Sequence, residues 1–490
     1  MEMMSERLEE HRATESLLSR TARYCEAYRM GRRPIGADLP AAALRTGFRV
    51  PLNETGLAGP AVIDELIRAA EPGLVGNTDP NFYAWVMGAS NLVGVAADWL
   101  TGAWGQNAAI HQSSPAAAVA EEAVEAWVLD LLDLPRESSV GLVTGATMAT
   151  FVGLAAARGE VLRRSGYDLE ALGLQGAPRV GVFLSDDAHV ANFAALRYLG
   201  FGEANFHRVP SDAAGLMSAG DLADAMYRHD GPKIVVAQAG QINSGGFESF
   251  ESIAAIAKEH RAWMHVDGAF GLWARASERR RWLAAGAELA DSWSVDGHKW
   301  LQIPYSSGFA IVRDRDAHRR AMRMTAGYLN PSDAADRDPL DYVPELSRRA
   351  QGFAAWAVLR NLGRLGVADL VDRHCDAANL LAERIGRVAG LSVLNRVELN
   401  QVVVGCGAGA EEDWKIQSLA DLLNAKGSVF VRTALWKERT VLRLSVISDV
   451  TGVGHVEDLA AAIADIWKEI ESDRGPEVAV SHQAPPEPPV

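Results

Sequence analysis

Short apolar runs that alternate with helical segments between residues 178 and 313 constrain the fold of this chain most strongly. Strand-like runs occupy Val180–Leu184, Lys233–Gln238 and Trp263–Val266, and helical spacing returns at Ile253–His260. This alternation predicts a mostly parallel sheet with helices on both faces. Functional residues in such sheets gather where the strands end, so the residues that follow each run become candidates for a site.

Polar residues follow these runs. His189 lies in the turn after the first run, the Gly240–Gly246 loop follows the second, and Asp267 ends the third. Further along, the Ser292–Trp300 stretch places Lys299 between a histidine and a tryptophan. Pyridoxal phosphate needs a lysine for its Schiff base and an acid beside its pyridine nitrogen. These residues therefore predict a site for that cofactor.

A small-residue segment, Gly141–Thr150, leads into an apolar helix predicted at Phe151–Arg158. The amides and threonine hydroxyls at such a helix start favour phosphate binding, although many ordinary helices begin with Gly and Thr. Just upstream, the predicted helix Pro115–Leu132 carries Glu121 and Glu125. With no histidine between them, these acids indicate a solvated or interface face rather than a metal site.

Charge and composition exclude several classes of protein. The 490 residues carry a formal net charge of -15, which disfavours nucleic-acid binding. The three cysteines are far apart and predict a reducing, cytoplasmic setting without disulfides. The sequence shows neither a signal peptide nor an uncharged stretch of membrane-spanning length.

These motifs resemble those of the group II pyridoxal-phosphate-dependent amino-acid decarboxylases, the family of aromatic-L-amino-acid, glutamate and histidine decarboxylases. His298-Lys299-Trp300 is similar to the family's Schiff-base motif, and His265–Ala269 to its His-Val-Asp-x-Ala run. The likeness extends from about Pro51 to about Ile470. Further matches in the same order are Ser113-Ser114-Pro115, Ala146-Thr147, Ser347-Arg348-Arg349 and Leu442-Arg443-Leu444.

The resemblance implies the fold of type I pyridoxal-phosphate enzymes. We expect an α/β domain with a seven-stranded, mostly parallel sheet and helices on both faces, and a small C-terminal α+β domain. It also implies a homodimer whose active site lies at the interface, with residues 85–111 reaching into the neighbour's site. The expected divisions are residues 1–95 as a helical dimerisation segment, 96–375 as the cofactor domain, 376–472 as the small domain and 473–490 as a disordered tail.

The resemblance also assigns roles to single residues. Lys299 would carry the cofactor, Asp267 would pair with the pyridine nitrogen, and His189 would stack on the ring. The competing interpretations are a surface lysine, a helix-capping aspartate and a structural histidine. The expected cofactor-binding residues are Ala146, Thr147, His189, Asp267, Ala269, His298 and Lys299.

Tyr328 bears on the type of reaction. It lies in a predicted loop, Arg323–Asp341, where the family's decarboxylases use a tyrosine to return a proton after carbon dioxide leaves. Relatives with phenylalanine there tend toward oxidative deamination, since a phenyl ring cannot act as a general acid. Tyr328 therefore favours decarboxylation, unless it is an ordinary loop aromatic.

The substrate pocket departs from the family pattern. Ile242 stands where the family has a threonine hydroxyl, which Gln241 or Asn243 could replace. The predicted pocket residues are Trp85, Met87, Gly88, Asn107 and Ala109, the last two belonging to the partner's site. This set predicts a pocket that is more polar or roomier than in aromatic decarboxylases.

We therefore predict decarboxylation of an L-amino acid to its amine, through an external aldimine and a quinonoid. The sequence leaves the amino acid open. The alternatives are an aldehyde synthase or carbon–carbon lyase with the same cofactor, and a non-catalytic subunit that keeps the fold.

Overall fold

A seven-stranded sheet forms the centre of the computed structural model, which describes residues 17–31, 35–37, 39–324, 337–407 and 409–472. Its strands are β1 (Ser139–Val143), β2 (Gly181–Ser185), β3 (Phe206–Val209), β4 (Lys233–Gln238), β5 (Trp263–Asp267), β6 (Ser292–Asp296) and β7 (Gly308–Val312). Their spatial order is β1-β7-β6-β5-β4-β2-β3. The strands β2 to β6 pair in parallel, and β7 runs antiparallel to both β1 and β6. The predicted mostly parallel sheet is confirmed.

Helices cover both faces of this sheet. Along the whole described chain, the helices are α1 (17–30), α2 (Ala41–Phe48), α3 (Gly59–Ala70), α4 (Leu92–Trp104), α5 (Pro115–Leu131), α6 (Ala146–Arg164), α7 (Leu169–Leu172), α8 (Val190–Tyr198), α9 (Ala219–Tyr227), α10 (Phe250–Glu259), α11 (Arg315–Met322), α12 (Gly352–Ile385), α13 (Asp413–Ala425) and α14 (Val453–Ser472). Successive residues of β4 separate the two faces. Ile234 and Val236 join the core under α6, α8 and α11, whereas Val235 and Ala237 join the core under α5, α10 and α12.

A second, antiparallel sheet builds the C-terminal part of the chain. Its strands β8 (Leu391–Val393), β9 (Gln401–Cys406), β10 (Arg432–Trp436) and β11 (Arg439–Ser445) follow the order β10-β11-β9-β8. The helices α13 and α14 pack on it. The long helix α12 supplies Cys375 to the first core and Ala377 to this one. The predicted small α+β fold is confirmed, while the exact domain boundaries stay a prediction.

One local expectation was wrong: the helix α6 begins at Ala146, five residues before the predicted start. The segment Leu391–Gly405 is divided into β8 and β9, because the Asn395 side chain bonds across the turn to the Gln401 carbonyl and the Val403 amide. In the segment around Asn81–Gly88, Phe82 forms a single bridge to Phe430.

The prediction of a solvated face for the acids of α5 was also wrong. Glu121 and Glu125 are buried, not solvated. Glu121 pairs with Arg348 at 2.7 Å, and Glu125 pairs with Arg315 at 2.8 Å and with Arg337 at 3.2 Å. A carboxylate loses its hydration on burial, and these guanidinium groups replace it. The acids thus anchor the segment that begins at residue 337.

Among the described residues, no helix is both long and apolar enough to cross a membrane. Tyr328 and the predicted tail, 473–490, lie outside the described residues.

Candidate active site

Asp267 ends β5 at the carboxyl edge of the sheet. The carboxylate is buried, and both of its oxygens are held: Oδ2 accepts the Asn192 side-chain amide at 2.8 Å, and Oδ1 accepts the Ala269 backbone amide at 3.2 Å. Ala269 also joins the neighbouring strand, since its carbonyl accepts the Asp296 backbone amide at 2.9 Å. The acid is therefore fixed in position and direction, as an acid beside a ring nitrogen must be.

His189 caps the start of α8 beside this acid. Its backbone amide donates to Gln238 Oε1 at 3.0 Å, and its ring Nδ1 accepts the Ala191 amide at 3.3 Å. An Nδ1 that accepts leaves the proton of the neutral ring on Nε2. Burial lowers the pKa of His189, although Asp267 opposes the shift. The ring therefore presents a neutral Nε2–H at physiological pH.

Lys299 lies in the loop that joins the antiparallel strands β6 and β7. The loop is closed by the amides of Gly297 and His298, which donate to the Ser307 carbonyl at 3.1 and 3.3 Å. Lys299 Nζ lies 3.0 Å from Asp296 Oδ2 and 5.9 Å from the centre of the Phe270 ring. The lysine is thus mostly buried inside an acidic and aromatic pocket, which excludes the surface interpretation.

Asp296 is the site residue whose role the sequence did not reveal. Its Oδ1 accepts the backbone amide of Ala146, the first residue of α6, at 2.5 Å, and lies 3.5 Å from His298 Nε2. The available signal was the alternation along β6. Ser292, Ser294 and Asp296 share the face toward α6, where Ser294 accepts the Thr150 hydroxyl at 2.9 Å.

Two predicted pocket residues, Met87 and Gly88, directly contact residues 297–307, the loop that carries Lys299 and is called the lysine loop below. A Cβ added to Gly88 would lie 2.1 Å from the His298 carbonyl oxygen and 2.3 Å from that of Lys299. The Met87 carbonyl accepts the Tyr305 hydroxyl at 2.6 Å, and the Tyr305 ring lies 4.4 Å from the His298 ring. Burial raises the pKa of Tyr305 to about 12. Tyr305 is therefore a neutral donor near the site that sequence reasoning missed.

The other predicted pocket residues contact different elements. The Trp85 ring lies 5.9 Å from the Phe430 ring, with the Arg432 guanidinium 5.7 Å above it. Within the described part of this chain, the hydrogen bonds of Asn107 lead to Arg348 and Ser113, and that of the Ala109 carbonyl leads to Leu340. None of these partners belongs to the loop that carries Lys299. One protomer alone does not bring this pair to Lys299.

In the Gly240–Gly246 loop, Gln241 and Asn243 are the two candidates to replace the family's threonine hydroxyl, and their side chains have different partners. Gln241 is buried, and its Oε1 accepts the amides of Asn243 and Ser244 at 2.6 and 3.0 Å, so its side chain maintains the loop itself. Asn243 Oδ1 instead accepts from Arg443 of β11 at 3.1 Å. Burial lowers the pKa of Arg443, and the charge of Arg443 helps to lower the pKa of His189. Arg443 thus brings a cation from the small sheet toward the site.

The donor set fits pyridoxal phosphate. An amine, a fixed carboxylate and the start of a helix converge at one edge of the sheet, and Thr147 is exposed in the first turn of α6. At Gly145 an added Cβ would lie 3.0 Å from the His298 ring and 3.2 Å from Asp296. The backbone of this turn can approach both side chains this closely because residue 145 is a glycine. In the described part of the chain, no group of three or more His, Cys, Asp or Glu residues could hold a metal ion.

A family model described as the pyridoxal-dependent decarboxylase conserved domain matches residues 45–405, well over half of the chain. The chain belongs to the pyridoxal-dependent decarboxylase family. The predicted resemblance is confirmed, and with it the pyridoxal phosphate cofactor and the assignment as a carboxy-lyase.

Curated relatives of this decarboxylase act on different amino acids. Tryptophan decarboxylase 1 of Oryza sativa subsp. japonica is 28% identical over 422 residues, which cover 80% of this chain and 81% of that protein. The L-2,4-diaminobutyrate decarboxylase of Rhizobium meliloti is 28% identical over 433 residues, covering 86% and 85%. The relatives therefore agree on the family and differ in substrate.

Solved structures show the same fold. The Oryza sativa tryptophan decarboxylase crystallised with pyridoxal phosphate and tryptamine superposes with a TM-score of 0.86 at 23% identity, covering 94% of this chain and 98% of that one. The Rhodiola rosea 4-hydroxyphenylacetaldehyde synthase gives 0.83 at 20% identity, covering 95% and 99%. One fold thus accommodates a decarboxylase and an aldehyde synthase.

Proposed function

We propose that this enzyme removes the α-carboxylate of an L-amino acid and releases the corresponding amine and carbon dioxide. The observation that carries the proposal is the placement of a buried lysine, a fixed carboxylate and a neutral histidine at one edge of the sheet: Lys299, Asp267 and His189. Family membership supports the interpretation of this convergence as the cofactor site.

Lys299, Asp267 and His189 have separate roles in the proposed reaction. Bound pyridoxal phosphate supplies an electron sink for the pair left when the Cα–carboxylate bond breaks. Lys299 would hold the cofactor through its amine and would be displaced by the substrate amine. Asp267, held by two N–H donors, would keep a proton on the pyridine nitrogen. His189, whose Nδ1 accepts the Ala191 amide, would stack on the cofactor ring and offer its Nε2–H to the substrate carboxylate.

A proton must return to Cα once carbon dioxide has left. The resemblance assigns this proton to Tyr328, and a phenolic hydroxyl is a competent general acid. Oxidation by dioxygen instead of this protonation would yield an aldehyde, ammonia and peroxide. The presence of a tyrosine at this position supports the amine as product.

We further propose that the active enzyme is a cytoplasmic homodimer. Trp99, Leu100 and Trp104 of α4 are 44%, 50% and 51% exposed, and large apolar side chains of this kind favour burial against a second copy. Asn107, close behind α4 in the chain, is exposed and would then reach the partner's pocket. Light scattering should give twice the mass of one chain. The compartment is supported by Cys25, Cys375 and Cys406, which are all free.

The activity is tested by screening the twenty amino acids for carbon dioxide release and analysing the products. We expect at least one substrate to yield an amine, without peroxide. Aldehyde with peroxide and no amine would instead identify an aldehyde synthase. Amino-acid cleavage without carbon dioxide would identify a carbon–carbon lyase.

Lys299→Ala should abolish both turnover and the visible absorption of the lysine-bound cofactor, because the variant lacks the amine that would form the Schiff base. Borohydride reduction followed by peptide mapping should label Lys299 in the wild type. The exposed Lys426→Ala is the matched control and should keep both properties. A colourless wild-type protein after incubation with pyridoxal phosphate would support a non-catalytic subunit.

A further inference from the structure

Asp296 lies where two positively polarised groups meet. Its Oδ1 accepts the first amide of α6, a helix of 19 residues, at 2.5 Å, and its Oδ2 lies 3.0 Å from Lys299 Nζ. The residue is only 2% exposed. A carboxylate is favourable at a helix start because the first amides lack partners and the helix dipole is positive there. The chain therefore supplies its own anion to the start of α6.

The same two groups are the ones that the cofactor needs. The Ala146 amide is a predicted phosphate donor, and the Lys299 amine carries the cofactor. A phosphate ester brings close to two negative charges at neutral pH, and a buried carboxylate beside it is repelled strongly because little water screens the pair.

We propose that Asp296 is an internal competitor of the cofactor's phosphate and sets the affinity of this enzyme for pyridoxal phosphate. It stabilises the start of α6 and holds Lys299 when the cofactor dissociates, and its charge opposes the return of the phosphate. The cofactor is thus exchangeable, and the active fraction follows its concentration. The inference rests on the family's cofactor, not on the proposed substrate or reaction.

A purely structural role for Asp296 makes the opposite prediction. If the carboxylate only caps α6, its loss loosens the helix start and weakens cofactor binding. If it competes with phosphate, removing the charge while keeping the acceptor strengthens binding. The sign of the change in affinity separates the two roles.

Asp296→Asn makes this change, since the Asn oxygen can still accept the Ala146 amide. The matched control is Asp291→Asn, immediately before β6, where Asp291 likewise accepts a backbone amide, that of Met264, at 2.8 Å. Each cofactor-free protein is titrated with pyridoxal phosphate and, separately, with pyridoxal, which lacks the phosphate. Absorption of the lysine adduct reports binding.

We expect the dissociation constant for pyridoxal phosphate to fall roughly tenfold in Asp296→Asn, because the variant removes one like-charge contact that little water screens. The constant for pyridoxal should change much less, and the control should match the wild type. The cofactor-free variant should also melt at a lower temperature than the wild type. Unchanged or weaker binding of pyridoxal phosphate would overturn the proposal.

An equal gain for both ligands would also overturn it, because the effect would then come from the charge on Lys299 and not from the phosphate. Both readouts are binding measurements. An error in the proposed decarboxylation would therefore leave this result intact, and would be seen only in the product analysis.

Discussion

Gly88 meets the lysine loop backbone to backbone, with a φ of +70° and no room for a Cβ. Gly88→Ala should therefore displace the His298–Lys299 backbone. We expect a loss of roughly 3 kcal/mol in the free energy of unfolding, from left-handed strain and overpacking together, and loss of the lysine-adduct absorption. Urea unfolding and a cofactor titration measure the two effects.

Gly105 provides the control at the same scale. It has a φ of +60°, but an added Cβ would meet no atom within 4 Å. Gly105→Ala should therefore cost only the backbone strain, about 1 kcal/mol, and leave cofactor binding unchanged. Equal effects of the two variants on cofactor binding would contradict the contact assigned to Gly88.

Among the secondary-structure elements, the hairpin β10–β11 connects the C-terminal antiparallel sheet to the loop that carries His189. Lys437 in its turn pairs with Asp187 and donates to the Ser211 hydroxyl at 2.9 Å. Because the pair is partly exposed, Lys437→Ala should cost under about 1 kcal/mol of stability. Its effect on kcat/KM should be larger in proportion, a severalfold loss, since Asp187 precedes His189 by two residues.

Lys468→Ala is the matched control for this hairpin, because Lys468 also pairs with an aspartate, Asp465 at 3.3 Å, on the exposed face of α14. Steady-state kinetics and thermal melts on both variants test the connection. If both variants keep full kcat/KM, the hairpin has no part in positioning the His189 loop.

The sequence alone predicts some strands of the central sheet and misses others. The strand β4 was predicted with its observed bounds and β5 to within one residue, because each is a mostly apolar run that is buried on both faces. The strand β6 was not recognised as a strand, since Ser292, Ser294 and Asp296 occupy one of its faces. These polar residues are buried because α6 supplies partners for Ser294 and Asp296, and β5 supplies them for Ser292. Periodicity cannot reveal such partners.

The site shows the same limit. Lys299, Asp267 and His189 could be found because each follows a recognisable run or lies in a motif. The tautomer of His189 and the partners of these residues could not be predicted. Asn192, which donates to Asp267, and Gln238, which accepts the His189 amide, lie far from their partners in the sequence. The predicted tie of Asn107 and Ala109 to the partner's pocket likewise depends on a second chain and stays a prediction.

Across the whole molecule, buried histidines make stability depend on pH. Burial lowers the pKa of His265 to about 4, and of His318 and His374 to about 3. In the unfolded chain these rings titrate near 6.5. Below that pH the unfolded state takes up protons that the folded state does not, so the free energy of unfolding falls as the pH drops from about 6.5 toward 4.

His374→Gln isolates one of these contributions. His374 bonds through Nε2 to the Ser448 carbonyl at 2.8 Å, and a glutamine amide can donate there without titrating. Between pH 7.5 and 5.5 the wild type should lose about 1 kcal/mol more than the variant. Glu248, whose pKa burial raises to about 8, acts in the opposite direction but equally in both proteins. Parallel pH curves from urea unfolding would contradict the assignment to His374.

The pairing of β6 with β7 has a consequence for how this protein can vary. Ser292 lies opposite Val312 and Asp296 opposite Gly308, so residues 297–307 form a loop closed at both ends by one antiparallel ladder. A residue inserted into or deleted from this loop would shift Lys299 relative to Asp296, or slip the ladder and turn the buried faces outward. Connections that carry no residue of the site can change length by moving surface loops. Sequence drift and engineered insertions should therefore accumulate in those connections, and the segment from Gly297 to Ser307 should keep its length.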